Sequence, residues 1–378
     1  MANEKYNVKW QSDLRMYINT FHSFIFEGNV NDLQPLERED GYEYFSLSET
    51  IAEAYGEEYC VVFFDHTKQR GKVITEETDG QTATQGTAAA PAQEDWDDDA
   101  NGGATDTPAQ EGDRQPALDD SHFNSFTFHK KKIFSSQGEL IDSPNVELFY
   151  EYYKKAYMDT VSQSSNKDMQ GGVAVDIRRM IDAMREFPER RKEERFREAK
   201  PFLFILPNVS RYMTRPGEPD DKEHAILMLL FNATQLSATG CKMMLFVDKM
   251  NDLPAWFESE NSNSAVKKIF VAPPDGQFRE TFFHLEMRSV MEPITDAEIV
   301  DKVKKFSAYT EKFSLRRLQQ LKTFIEEEEE RLPEGEPSLR RIDDIDKTVL
   351  KFEVGRSENP WRDKGLRKTV GELETSLM

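Results

Sequence analysis

The segment EAKPFLFILPNVSRY (198–212), followed by EHAILMLLFNATQ (223–235) and CKMMLFVDKMNDLP (241–254), decides the fold. Phe202–Leu206 and Met243–Val247 are unbroken apolar runs, the pattern of strands covered on both faces. Residues 223–236 between them are long and apolar enough for a helix. A short helix is expected around Pro254–Glu258, and a third apolar run, Lys268–Val271, follows it. Continuous apolar strands separated by helices specify a parallel sheet with helices on both faces.

Towards the N-terminus the same reading continues. Phe21–Phe26 is a β-favouring aromatic run that stops at the turn signal Gly28-Asn29. Ser46 followed by Glu49 is a capping box for a helix over 46–55, with Leu47, Ile51 and Ala54 at helical spacing. Tyr59–Phe64 is another run of a doubly covered strand. Strands near 21–27, 59–64, 202–206, 243–248 and 268–272 are therefore expected in one mostly parallel sheet. Residues 123–134 alternate aromatic and polar like a further strand, and 146–161 and 175–186 read as amphipathic helices, the latter with Ile177, Ile181 and Met184 on one face. Basic and acidic residues interleave over 185–200, as on a salt-bridged solvent face.

Beyond Pro293 the pattern is helical. Residues 296–313 present Ile299, Val303 and Phe306; residues 315–330 present Leu315, Leu318, Leu321 and Ile325. The chain thus divides into an α/β core over 1–292, a helical part over 293–335, and a C-terminal strand with an amphipathic helix over 336–378.

Composition limits the function. The 378 residues carry 49 basic and 70 acidic side chains, a net charge of −21. Residues 75–120 hold 13 acidic residues against Arg114 alone, so the remaining chain carries only −9. That segment has too little to bury and is expected to be a disordered insertion, either a passive loop or an acidic arm for a basic partner. The charge disfavours nucleic-acid binding. Cys60 and Cys241 lie in apolar runs without partners at metal spacing, as buried thiols in a reducing compartment do. The opening MANEKYNVKW lacks a signal-peptide core, and the most apolar run, Ala225–Phe231, is far short of a bilayer span. A cytoplasmic protein without membrane contact is expected.

The segments quoted above, with VKKIFVAPPDGQFRETFF (266–283) and TEKFSLRRLQQL (310–321), resemble in their order the AAA+ ATPase module. The resemblance aligns 198–212 with the Walker B strand, 241–254 with the sensor-1 strand and its turn, 266–283 with the last core strand and an Arg-bearing helix, and 310–321 with a helix of the lid. It implies a mostly parallel sheet with flanking helices and a helical lid. The chemistry of the family is missing. No GxxxxGK[ST], the phosphate-cradling sequence, occurs in the chain. The matching turn is GNVNDLQPL (28–36), in which Leu33, Gln34 and Pro35 stand at the Gly-Lys-Ser/Thr positions, Pro35 has no N–H, and Asp32 would repel a polyphosphate. Pro207-Asn208 replaces the Walker B acids, and 255–268, where an arginine finger would lie, has only Lys267 and Lys268. The degenerate nucleotide-site positions are Gly28, Asn29, Asp32, Pro207, Asn208, Asp248 and Asn251, with no catalytic or metal-ligating set among them.

Other sites have weaker sequence support. Asp65-His66, His129 and His284 lack metal-ligand spacing, no GxSxG elbow occurs, Gly171-Gly172 reads as a hinge, and Glu326–Glu330 reads as a solvated helix end. Asn359-Pro360 starts a helix whose Trp361, Leu366, Val370, Leu373 and Leu377 form an apolar stripe. The stripe docks on its own domain, on a partner, or leads into a further module. The expected function is a non-hydrolysing AAA+-like scaffold, adaptor or regulatory subunit that needs no cofactor and partners another AAA+ module or forms a homo- or hetero-oligomer. The alternatives are an AAA+ ATPase, whole or as the amino-terminal part of a tandem enzyme that uses ATP and Mg²⁺, and an acidic interaction protein unrelated to ATP.

Overall fold

The computed structural model describes residues 5–64, 126–129, 143–152, 173–212, 219–249, 252–258, 263–292, 299–333, 335–336 and 338–355. The 75–120 segment, Asp65-His66, Gly171-Gly172, Asn251 and the stripe from Trp361 to Leu377 lie outside them.

Six strands form the main sheet: β1 (Ser23–Gly28), β4 (Cys60–Phe64), β5 (Phe126–Phe128), β6 (Phe202–Leu206), β7 (Lys242–Val247) and β8 (Val266–Val271). Their order across the sheet is β5-β4-β6-β7-β1-β8. All pairs are parallel except β4 with the short β5. The five expected strands thus share one sheet. β6 and β7 are buried at every residue, which accounts for their apolar sequence from Phe202 to Leu206 and from Met243 to Val247; Lys242, at the start of β7, satisfies its ammonium on Phe21 O at 2.8 Å.

One face of the sheet packs against α3 (residues 144–152), α4 (Val173–Arg190) and α5 (Asp221–Thr234) around Phe149, Met184 and Leu230. The opposite face is covered by α1 (Lys9–Tyr17) and α2 (Leu47–Tyr55) through Trp10, Leu14, Leu47 and Ile51. The Ser46–Glu49 capping box forms as expected. Ala52, rather than Ala54, is buried in the turn that follows, because Ala54 faces solvent.

Two elements depart from expectation. Between β1 and α2 the chain makes a separate antiparallel hairpin, β2 (Leu33–Arg38) and β3 (Gly41–Ser46). The turn is Glu39-Asp40, the two-residue loop fixes the register from Leu33↔Ser46 to Arg38↔Gly41, and Tyr42-Glu43-Tyr44 on β3 alternates between half-buried and exposed. The strand expected within 336–378 is replaced, as far as residue 355, by helix α10 (Ile345–Val354), whose Ile345, Thr348 and Val349 are buried at helical spacing.

A third apolar cluster joins α10 to α8 (Ile299–Tyr309), α9 (Leu315–Arg331) and the segment from α7 (Gly276–Phe282) through the π-helical turn Phe283–Met287. Leu315, Leu318, Leu321 and Ile325 are all buried there, as their spacing predicts. No helix among the described residues is long and apolar enough to cross a membrane.

Candidate functional site at the end of strand β1

In an open parallel sheet, ligands bind beyond the carboxyl ends of the strands where chain connections diverge. Here that place is the end of β1. The connection leaving β1 reaches β4 on the far side of β6 and β7, whereas the connection from β7 to β8 crosses to the other side of β1.

β1 stops at Gly28, whose φ of 101° is accessible chiefly to glycine. The next residues turn inward on the protein. Asn29 N–H donates to Val271 O at 2.8 Å, and Val30 N–H donates to Gly28 O at 2.9 Å. Asp32 is buried, and its carboxylate accepts from Asn29 Nδ2 (2.9 Å), Leu33 N–H (2.9 Å), Leu315 N–H (2.7 Å) and Arg316 N–H (3.0 Å). The last two are free donors in the first turn of α9, whose Ser314 N-cap serves Arg317 N–H. A buried carboxylate in that position is favoured by hydrogen bonding and by the helix dipole together.

Leu33, Gln34 and Pro35, the residues at the Gly-Lys-Ser/Thr positions, belong to β2. Gln34 Oε1 accepts from Trp10 Nε1 at 2.8 Å, and Pro35 O accepts from Gln11 Nε2 at 2.8 Å. The antiparallel pairing of 33–38 with 41–46 thus puts a hairpin where a phosphate loop would open a helix.

The neighbouring strand ends complete the site. Asp248, just past β7, accepts from Asn31 Nδ2 at 2.8 Å and faces Arg211 Nε at 3.4 Å. Arg211 reaches it because Pro207-Asn208 turns the chain sharply. Asn208 has φ 56°, a left-handed conformation that asparagine tolerates, and its carbonyl accepts Arg211 N–H at 2.9 Å. The structure therefore gathers Gly28, Asn29, Asp32, Asn208 and Asp248 along one edge of the sheet.

A buried charge cluster nearby was not anticipated. Glu27 on β1, Glu258 at the end of the short helix α6 (Ala255–Glu258) and Lys268 on β8 converge, with Lys268 Nζ 2.6 Å from Glu258 and 3.9 Å from Glu27. Burial pushes the Glu27 carboxyl above its usual range, with Lys268 opposing the shift. The acid at the penultimate position of an otherwise apolar strand, FIFEG, was the sequence signal. Lys267 lies over the Tyr17 ring, 4.4 Å from its centroid.

The remaining candidates are dispersed. His129 lies 3.2 Å from Glu53, and His284 packs edge-on to Phe283. Among the described residues no group of three or more His, Cys, Asp or Glu could hold a metal ion. Cys60 and Cys241 are both buried thiols, and burial pushes Cys241 up to about 12.

The residues at the end of β1 do not fit a magnesium nucleotide. The N–H groups of Asn29, Val30 and Leu33 are engaged within the protein, and a carboxylate occupies the helix end where an anion would be received.

No protein-family model matches the sequence, and no curated protein is significantly similar to it. Solved structures with similarity include the AAA domain of FIGL-1 in complex with ADP, at 10% identity and a TM-score of 0.31, over 53% of this chain and 62% of that one. They also include a HORMA:CdnC:Trip13 complex of E. coli MS115-1, at 10% identity and a TM-score of 0.33, over 50% of this chain and 61% of the other. The chain thus spans about three fifths of the length of each.

Proposed function

We propose that the protein is a non-hydrolysing AAA+-like module that acts by binding, as a scaffold, adaptor or regulatory subunit beside another module of this type. The observation that carries the reading is Asp32. Its carboxylate takes four hydrogen bonds at the end of β1, two of them from the first turn of α9. The site therefore satisfies its own donors. Asn208 at the exit of β6 can accept and donate hydrogen bonds but cannot take a proton from water, so no general base stands at the Walker B position.

The test is phosphate release and nucleotide binding by the purified chain with magnesium and ATP. No turnover is expected, and saturating ATP should leave the melting temperature unchanged, because a ligand that binds only the folded state raises it. Magnesium-dependent turnover abolished by a substitution within the chain would establish the ATPase reading instead. Assembly with a second AAA+ module, read by size, tests the adaptor role.

A further inference from the structure

We infer that Asp32 is a built-in latch that holds the helical part of the molecule closed on the carboxyl edge of the sheet, with its own carboxylate in the role of a bound anion. Its four donors come from three places: the turn after β1 (Asn29 Nδ2), the first residue of β2 (Leu33 N–H) and the start of α9 (Leu315 and Arg316 N–H). Asp32 is 5% exposed, so these bonds compete little with water.

A second contact ties the same hairpin to the same helix. Tyr44 on β3 donates to Glu286 Oε1 at 2.9 Å, and Lys322 on α9 donates to Glu286 Oε2 at 2.8 Å. Tyr6 OH lies 3.1 Å from Tyr44 OH, and the Tyr6 ring stacks on Phe278 of α7 at 4.4 Å. Burial holds both phenols well above their usual range, so Tyr6 and Tyr44 keep their protons across the neutral range. The turn after β1 is thus bonded to the first turn of α9, and the hairpin that follows is tied, through Glu286, to Lys322 two turns further along the same helix. The inference concerns the closed conformation and stands apart from the absence of hydrolysis.

The experiment is hydrogen exchange on the full chain carrying Asp32→Ala, with Asp32→Asn as the second variant. Asn keeps the volume but turns an amide NH₂ towards backbone donors. Amides of α9 beyond its first turn, and those of β2 and β3, should exchange about tenfold faster or more in Asp32→Ala, while β6 and β7 keep their protection. Asp32→Asn should show the same pattern at smaller amplitude. Uniform loss of protection across sheet and helices would overturn the latch, because Asp32 would then be a staple of the whole fold. Unchanged exchange in both variants would overturn it as well.

Discussion

Gly28 is the residue that most resembles a phosphate-loop glycine, and Gly28→Ala separates that resemblance from the role the structure gives it. At φ 101° an alanine carries a steric cost of about 1–2 kcal/mol. A Cβ at that position would also lie 2.7 Å from the Val271 carbonyl oxygen and 2.8 Å from the Phe270 ring. The ring can swing aside, since Phe270 is half exposed, but the carbonyl belongs to β8 and moves only with the strand. Displacing it would weaken the 2.8 Å bond from Asn29 N–H, worth about 0.5–1.5 kcal/mol. Together these give a destabilisation of about 1.5–3.5 kcal/mol, read by urea denaturation. Gly41→Ala is the control, because Gly41 also has positive φ but nothing within 4 Å of its Cβ position; it should cost about 1 kcal/mol. Adding Phe270→Ala to Gly28→Ala should restore little. A Gly28→Ala chain within about 0.5 kcal/mol of the parent, the range of ordinary surface changes, would refute the reasoning.

Three further outcomes follow from buried polar groups. Arg279 donates to Pro274 O (2.6 Å), Ser307 O (3.0 Å) and Glu311 O (3.3 Å) from a buried position, so Arg279→Met should cost about 2–4 kcal/mol in chemical denaturation and detach α7 from α8. Glu286→Gln should weaken the Lys322 contact and cost about 1–2 kcal/mol, less if Tyr44 is already phenylalanine; strict additivity of the two changes would show that they do not share a network. Glu27 titrates higher folded than its ordinary 4.5 because it is buried, so its favourable contribution is complete below that value and is lost as the pH rises through the folded value. Glu27→Gln should therefore gain stability over the parent as the pH increases above about 4.5, and parallel stability–pH curves would contradict this.

The parts of the fold that were legible in the sequence are those decided by burial alone. Phe202–Leu206 and the run 243–247 have no polar residue because both faces of each strand are covered, and a doubly buried strand leaves an unmistakable sequence. Helix α9 was legible for a similar reason, four apolar residues on one face and a serine cap. The hairpin over 33–46 was missed because its strands are half exposed and carry Glu37, Arg38 and Glu43, so they lack a continuous apolar run. Its signal was the turn Glu39-Asp40-Gly41 and the alternation of Tyr42-Glu43-Tyr44 after it, a period of two rather than a stretch of hydrophobicity. The role of Asp32 was not legible at all. The sequence shows an acidic residue where a phosphate would be repelled, but its partners Leu315 and Arg316 are some 280 positions away and act through their backbone. A capping box reports backbone donors within its own turn, but no local pattern reports donors that far along the chain.

That asymmetry bears on how the two halves of the molecule are joined. The sheet and its flanking helices have two apolar clusters of their own, and α7–α10 have a third. Tyr6, Leu33 and Tyr44 pack across the seam against the third cluster, the Tyr6 ring stacked on Phe278. The polar contacts that cross are directional: Asp32 to the start of α9, and Tyr44 through Glu286 to Lys322. An apolar seam would tolerate sliding, because burial is insensitive to small displacements. Hydrogen bonds to buried carboxyl groups do not, since each donor left unpaired costs about 1–3 kcal/mol. A module whose two parts are fixed by such bonds presents one surface to its partner, with no ligand needed to set it. In the proposed scaffold role, that fixed surface is what a partner would read.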